Sequence, residues 1–169
     1  MKKILIVLLL CFNVFAVEKP HDLLKSISKD AINIGTGKKN DVYVFVDPMC
    51  KYSKRFIKKI SENKMLQMLN SYHVFLYRLP KYESDRLIQY IYQSADKKKT
   101  LLDVMVRSKK INLDGFKATS KEYEITKRIT KVAKKLKIKK RPYMISFQKD
   151  SGYCRVSEGI VECMEELDF

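Results

Sequence analysis

Val42-Tyr-Val-Phe-Val46, followed by Asp47-Pro-Met-Cys-Lys-Tyr-Ser53, is the stretch that decides the fold. Its first five residues are apolar, β-branched or aromatic without alternation, the pattern of a strand buried on both faces. Proline cannot donate to a ladder, so Asp47-Pro48 ends the strand. From Cys50 the period becomes helical, with Phe56, Ile57 and Ile60 on one face together with Ser53. A cysteine at this switch lies in the first turn of a helix, where free N–H groups and the positive dipole end favour a thiolate over a thiol. Lys51, Lys54 and Arg55 add positive charge. A dithiol cycle would need a second cysteine at position 53, and the chain has Ser53 there.

Working outward, Leu23, Leu24, Ile27, Ala31 and Ile34 have helical spacing, which predicts an amphipathic helix over 21–34. Gly35 to Asp41 then reads as a turn. Met65 to Leu69 continues an apolar surface after the cysteine helix, and 72–79 is a second strand closed by Pro80. Periodicity predicts helices over 84–94, 99–107 and 120–137, with a turn at Asp114-Gly115. Lys139-Lys-Arg-Pro142 leads into a third strand, Tyr143–Phe147. A hairpin turn at Lys149–Gly152 returns a fourth strand over 153–156. Ser157 is placed to cap a last helix with Ile160, Cys163, Met164 and Leu167 on its inner face.

The N-terminus reads as an export signal. Lys2 and Lys3 precede an apolar run from Ile4 to Phe15, and Ala16 offers a small residue for cleavage. The run is too short to favour a permanent membrane span. Cys11 raises lipid attachment, but Leu10 before it is not the small residue such processing needs. The expected division is a signal peptide over 1–16 and one domain over 17–169, working in the periplasm, where disulfides persist. Without Lys2 and Lys3, 33 basic residues face 19 acidic ones, a net charge of +14. The lysines are scattered over helix surfaces and an exported chain meets little nucleic acid, so nucleic acid is not an expected partner. The plain reading of this charge is a solvated, lysine-rich surface, with peripheral attraction to an anionic membrane surface or to acidic proteins as the alternative. His21 and His73 show no ligand spacing, and no metal or cofactor is expected.

Beyond Cys11 the chain has three cysteines, Cys50, Cys154 and Cys163, an odd count that leaves one thiol over. If Cys154 pairs with Cys163, the thiol left over is Cys50. The plain reading of Cys154 and Cys163 is a structural disulfide joining the last strand to the last helix. Unpaired core thiols and a distant resolving cysteine are the alternatives.

Phe45-Val-Asp-Pro-Met-Cys-Lys-Tyr-Ser53 resembles the F-x-D-P-x-C-x-Y-C signature of the thioredoxin-fold catalytic domain of the DsbC/DsbG disulfide isomerases. Ala133-Lys-Lys-Leu-Lys-Ile-Lys-Lys-Arg-Pro-Tyr-Met-Ile145 is similar to the approach to the cis-proline strand of the same proteins. The resemblance covers roughly residues 40–169. It implies an α/β, thioredoxin-like fold with a helical insertion, about 83–118, between the second strand and the cis-proline strand. It further implies that Cys50 is the nucleophile, that Ser53 replaces the resolving cysteine, and that Pro142 is the cis-proline. Arg141 stands where those isomerases usually carry threonine, and with Tyr52 it is the expected substrate-binding residue.

The chemistry this implies is monothiol exchange or isomerisation on cysteine-containing envelope proteins. Ser53 removes the usual self-release, so the second step falls to a substrate thiol or an external thiol reductant. The alternative is a non-catalytic interaction module of an envelope or secretion assembly, with Cys50 a packed or vestigial cysteine.

Overall fold

The computed structural model describes residues 19–151 and 154–158. In chain order the elements are α1 (Pro20–Ser26), a 3-10 turn (Ser28–Asp30), β1 (Ile32–Ile34), β2 (Asn40–Val46), α2 (Lys51–Glu62), α3 (Lys64–Leu69) and β3 (Asn70–Leu76). They continue with α4 (Asp85–Gln93), α5 (Lys97–Met105), α6 (Ser120–Lys135), β4 (Tyr143–Gln148) and β5 (Cys154–Glu158).

The sheet runs β1-β3-β2-β4-β5. β2 is parallel to β3 and antiparallel to β4, so Val44 lies opposite both Val74 and Met144. This central position explains the unbroken apolar run. Val44, Phe45 and Val46 are fully buried, and the strand has no solvent face to fill with polar residues. α2 buries Ser53, Phe56, Ile57 and Ile60 and turns Lys51, Arg55 and Lys58 outward. It packs on α3 and α5, while α6 lies against β3 and α4. α6 buries Ile125, Ile129, Val132 and Ala133, one stripe at helical spacing.

The expected helix over 21–34 is shorter than its spacing suggested. α1 ends at Ser26, and Ile32-Asn-Ile34 forms an edge strand antiparallel to β3. Ile32 and Ile34 are buried while Asn33 is exposed, a period of two. Gly37 is fixed by close packing in the turn that follows. A Cβ there would collide with the main chain of Leu69 and Asn70, contact only glycine avoids.

The helical insertion lies between β3 and β4, as expected. Its helices are α4 and α5, and residues 106–119 are irregular apart from the turn at Asp114-Gly115. Arg86 Nη2 donates to the carbonyls of Leu113 (2.6 Å) and Phe116 (3.3 Å), and the Tyr90 and Phe116 rings meet edge to face, so this loop is pinned to α4. Ser157 is not a helix cap: it lies inside β5, paired with Met144. Pairing with β4 supplies main-chain partners through Glu158, so the strand outlasts its short apolar pattern. The expected signal peptide, Gly152 of the hairpin turn, and the last helix with Cys163 lie outside the described residues. Among those described, no helix is long and apolar enough to cross a membrane.

Candidate active site around Cys50

Pro48 breaks the β2 ladder, and the chain turns at once into α2 with Cys50 as its N-cap residue. The Cys50 N–H donates to the Asp47 carbonyl at 3.0 Å, and the Cys50 carbonyl accepts from Lys54 N–H at 2.9 Å. The side chain makes no capping bond to the helix. Instead Cys50 Sγ lies 3.9 Å from the Arg141 carbonyl, 91 residues away in sequence. The Arg141–Pro142 peptide bond is cis, and Pro142 is buried immediately before β4. The fold thus brings the helix start and the proline loop, far apart in sequence, to one thiol. Cys50 is 2% exposed, and Met49 and Tyr52 beside it are the solvent-facing apolar side chains. Lys51 Nζ stands 5.0 Å from the Tyr52 ring centroid.

Ser53 is fully buried, and its hydroxyl accepts the Asp47 N–H at 3.2 Å. It therefore locks the cysteine loop from the position a second thiol would occupy. Asp47 is fully buried as well. Its Oδ1 accepts from Met49 N–H at 2.8 Å, and its Oδ2 accepts from Leu79 N–H at 2.5 Å and from the Ser84 hydroxyl at 3.0 Å. Three donors offset the cost of taking a carboxylate out of water.

Arg141 faces inward. It is 4% exposed, and its Nε, Nη1 and Nη2 donate to the carbonyls of Tyr77 (3.1 Å), Lys140 (2.9 Å) and Arg78 (3.1 Å). Its guanidinium carbon lies 3.9 Å from the Tyr77 ring centroid. Burial pushes the guanidinium below its ordinary pKa, while Tyr77, Asp47 and Cys50 pull the other way. The side chain expected to meet substrate is thus engaged with the main chain, and the carbonyl of Arg141 is the group turned to the thiol.

Cys154 lies on β5 opposite Phe147, and both it and Cys50 carry free thiols. Position 147 is four residues, about 13 Å, along β4 from Tyr143, so Cys154 stands at the far end of the hairpin from Pro142. Cys163 lies outside the described residues. His73 stacks on Tyr43 and contacts Asn33 and Asp41, and His21 packs against Phe147, both away from Cys50. The sequence reading gave Asp47-Pro48 only the task of ending the strand. It missed Tyr77, Leu79 and Ser84, whose only local signal is Ser84-Asp85 at the start of a periodic segment.

No protein-family model matches this chain, and no curated protein matches it in sequence. Solved structures do match in shape. A disulfide interchange protein from Neisseria gonorrhoeae aligns over 83% of this chain and 94% of its own, with 20% identity and a TM-score of 0.59. The catalytic domain of Proteus mirabilis ScsC aligns over 87% and 90%, with 16% identity and a TM-score of 0.57. A variant of Wolbachia pipientis alpha-DsbA1 with two cysteines changed to alanine aligns over 80% and 86%, with 13% identity and a TM-score of 0.54. These likenesses, with the mixed sheet and its inserted helices, establish a thioredoxin-like fold.

Proposed function

We propose that this chain is an exported thiol–disulfide exchange protein, acting in the periplasm on cysteine-containing envelope proteins through Cys50 alone. The observation that carries this reading is the free thiol at the α2 start, held against the Arg141 carbonyl of the loop before β4. The names of the similar structures, an interchange protein among them, support the same chemistry. Cys50 loses its proton to solvent and the thiolate attacks one sulfur of a substrate disulfide. A Cys50–substrate S–S bond forms, the substrate S–S bond breaks, and the other substrate sulfur leaves as a thiolate that takes up a proton. A free substrate thiol then attacks the mixed disulfide and releases Cys50, which is isomerisation with no net redox change. Alternatively an external dithiol reductant releases it and is itself oxidised.

The near-complete burial of Cys50 and Ser53 favours one competing reading, a non-catalytic module of an envelope or secretion assembly that keeps the fold for binding. The two part on reactivity. With 2,2′-dithiodipyridine, the folded protein should release one more equivalent of 2-thiopyridone than Cys50→Ala, quickly and without denaturant. Mixed disulfides trapped in the envelope should disappear in Cys50→Ala, and Ser53→Cys should gain insulin reductase activity. A Cys50 that reacts only after unfolding sinks the exchange reading and leaves the binding module.

A further inference from the structure

A groove of about 400 Å³ opens beside the cysteine loop, next in sequence to the thiol. Pro48 and Met49 of the cysteine loop form one side of it, and Leu87, Val104 and Ile111 of the insertion form its apolar floor. Met49 is 45% exposed, immediately before Cys50. Ser108, Lys109, Lys110, Ile111 and Leu113 of the irregular segment after α5 also line it, and that segment is held in place. Lys109 N–H is tied to the Asp103 carbonyl at 2.8 Å, and Arg86 holds Leu113 and Phe116 from behind.

The charges around this groove are one-sided. Lys54, Lys109 and Lys110 line it against a single acid, Glu83. Lys51 follows the thiol, and the exposed Lys139 and Lys140 lead into Arg141, whose carbonyl faces Sγ. A cysteine approaching Cys50 therefore brings its neighbouring residues between lysines from three separate segments and onto an apolar floor.

We propose that this groove selects the substrate: a polypeptide segment whose cysteine is flanked by carboxylates and by one bulky apolar side chain. The inference rests on the exchange reading and deepens it. The carboxylates steer the segment and pair with the lysines at the rim, where such pairs act mainly on the rate of encounter. The apolar side chain fills the floor beside Met49. The exchange is the step already written, with the segment's sulfur bonded to Cys50 and its former partner leaving as a thiolate.

The test uses the mature protein and short cysteine peptides activated as 2-thiopyridyl disulfides, so that attack by Cys50 releases 2-thiopyridone. Peptides carry Asp and Glu, their amide isosteres Asn and Gln, or Lys beside the cysteine, each with Leu or Ser at a neighbouring position. We expect the acidic peptides to react about tenfold faster than their amides, Leu to add to that gain, and the difference to collapse in about 0.5 M salt. The double variant Lys109→Glu, Lys110→Glu should reverse the acid-to-amide ratio, taken within that variant. Equal rates for acidic and amide peptides, with 2,2′-dithiodipyridine still reacting, overturn this inference and leave the exchange reading standing. No reaction with that small disulfide overturns both. Capture by anionic phospholipid vesicles through the same lysines, with no charge preference among peptides, overturns it in favour of membrane docking.

Discussion

Asp47 and Arg141 are two buried ionisable side chains from the two loops that meet at one thiol, and both bond the same short strap. Asp47 accepts from Leu79 N–H and the Ser84 hydroxyl, and Arg141 donates to the Tyr77 and Arg78 carbonyls. The segment between β3 and α4 thus holds the cysteine loop by an acceptor and the proline loop by a donor. Neither charge is left for solvent, so their common task is to fix the distance between Cys50 and the Arg141 carbonyl. Asp47→Asn tests this with little change of shape. Asn offers one carbonyl oxygen and one NH2 where three donors converge, so at least one buried donor loses its acceptor. The expected loss is about 1–3 kcal/mol, read as a lower urea midpoint, together with a changed rate of Cys50 reaction with 2,2′-dithiodipyridine. An unchanged midpoint and rate would show that the strap holds without its carboxylate.

At the scale of elements, α6 is the helix whose start is most fully specified. Thr119 N–H and hydroxyl both donate to the Glu122 carboxylate, the N–H at 2.9 Å, completing a capping box at a helix whose inner stripe packs on β3 and α4. Burial alone would raise the Glu122 carboxyl, but the bonds from Thr119 outweigh it and hold the pKa below its ordinary value. A depressed carboxylate pKa contributes stability that is complete above the ordinary value and lost as pH falls through the native one. Thr119→Ala should therefore cost about 1 kcal/mol at neutral pH. The gap between wild type and variant should narrow in urea titrations repeated below pH 4.5, the ordinary glutamate value. A gap that stays constant across that range would remove Glu122 from the cap.

For the molecule as a whole, what was legible in the sequence is what local period decides. β2 and α2 declare themselves because one is buried on both faces and the other on one, and the change of period falls at Cys50. Three residues cannot declare a period, and Ala31 and Ile34 also continue the helical spacing begun at Leu23, so β1 was hidden. The strap at 77–84 was hidden for a different reason. Its meaning lies in contacts to Asp47 and Arg141, 32 to 64 residues away, made, the Ser84 hydroxyl apart, by main-chain groups that carry no sequence signal. Pro142 came only through resemblance, since nothing local ties its loop to a thiol 91 positions before Arg141. A second long-range tie joins α6 to the start of the fold. Arg128 on α6 grips Asp30, 98 residues before it, with Nε and Nη2 each 2.8 Å from a carboxylate oxygen. Asp30 is 5% exposed in the turn that leads into β1, so this fork fastens the start of the fold to its longest helix. Arg128→Ala leaves a buried carboxylate without its donors and should cost about 1–3 kcal/mol. Arg128→Lys keeps the charge but loses the planar fork, and should fall in between. The exposed Lys127–Glu124 pair one residue away is the control, since Lys127→Ala should cost roughly 0–1 kcal/mol. Urea midpoints at constant m-value rank the three; if Arg128→Ala falls no further than Lys127→Ala, the fork is an ordinary surface pair and β1 is held by its ladder to β3 alone.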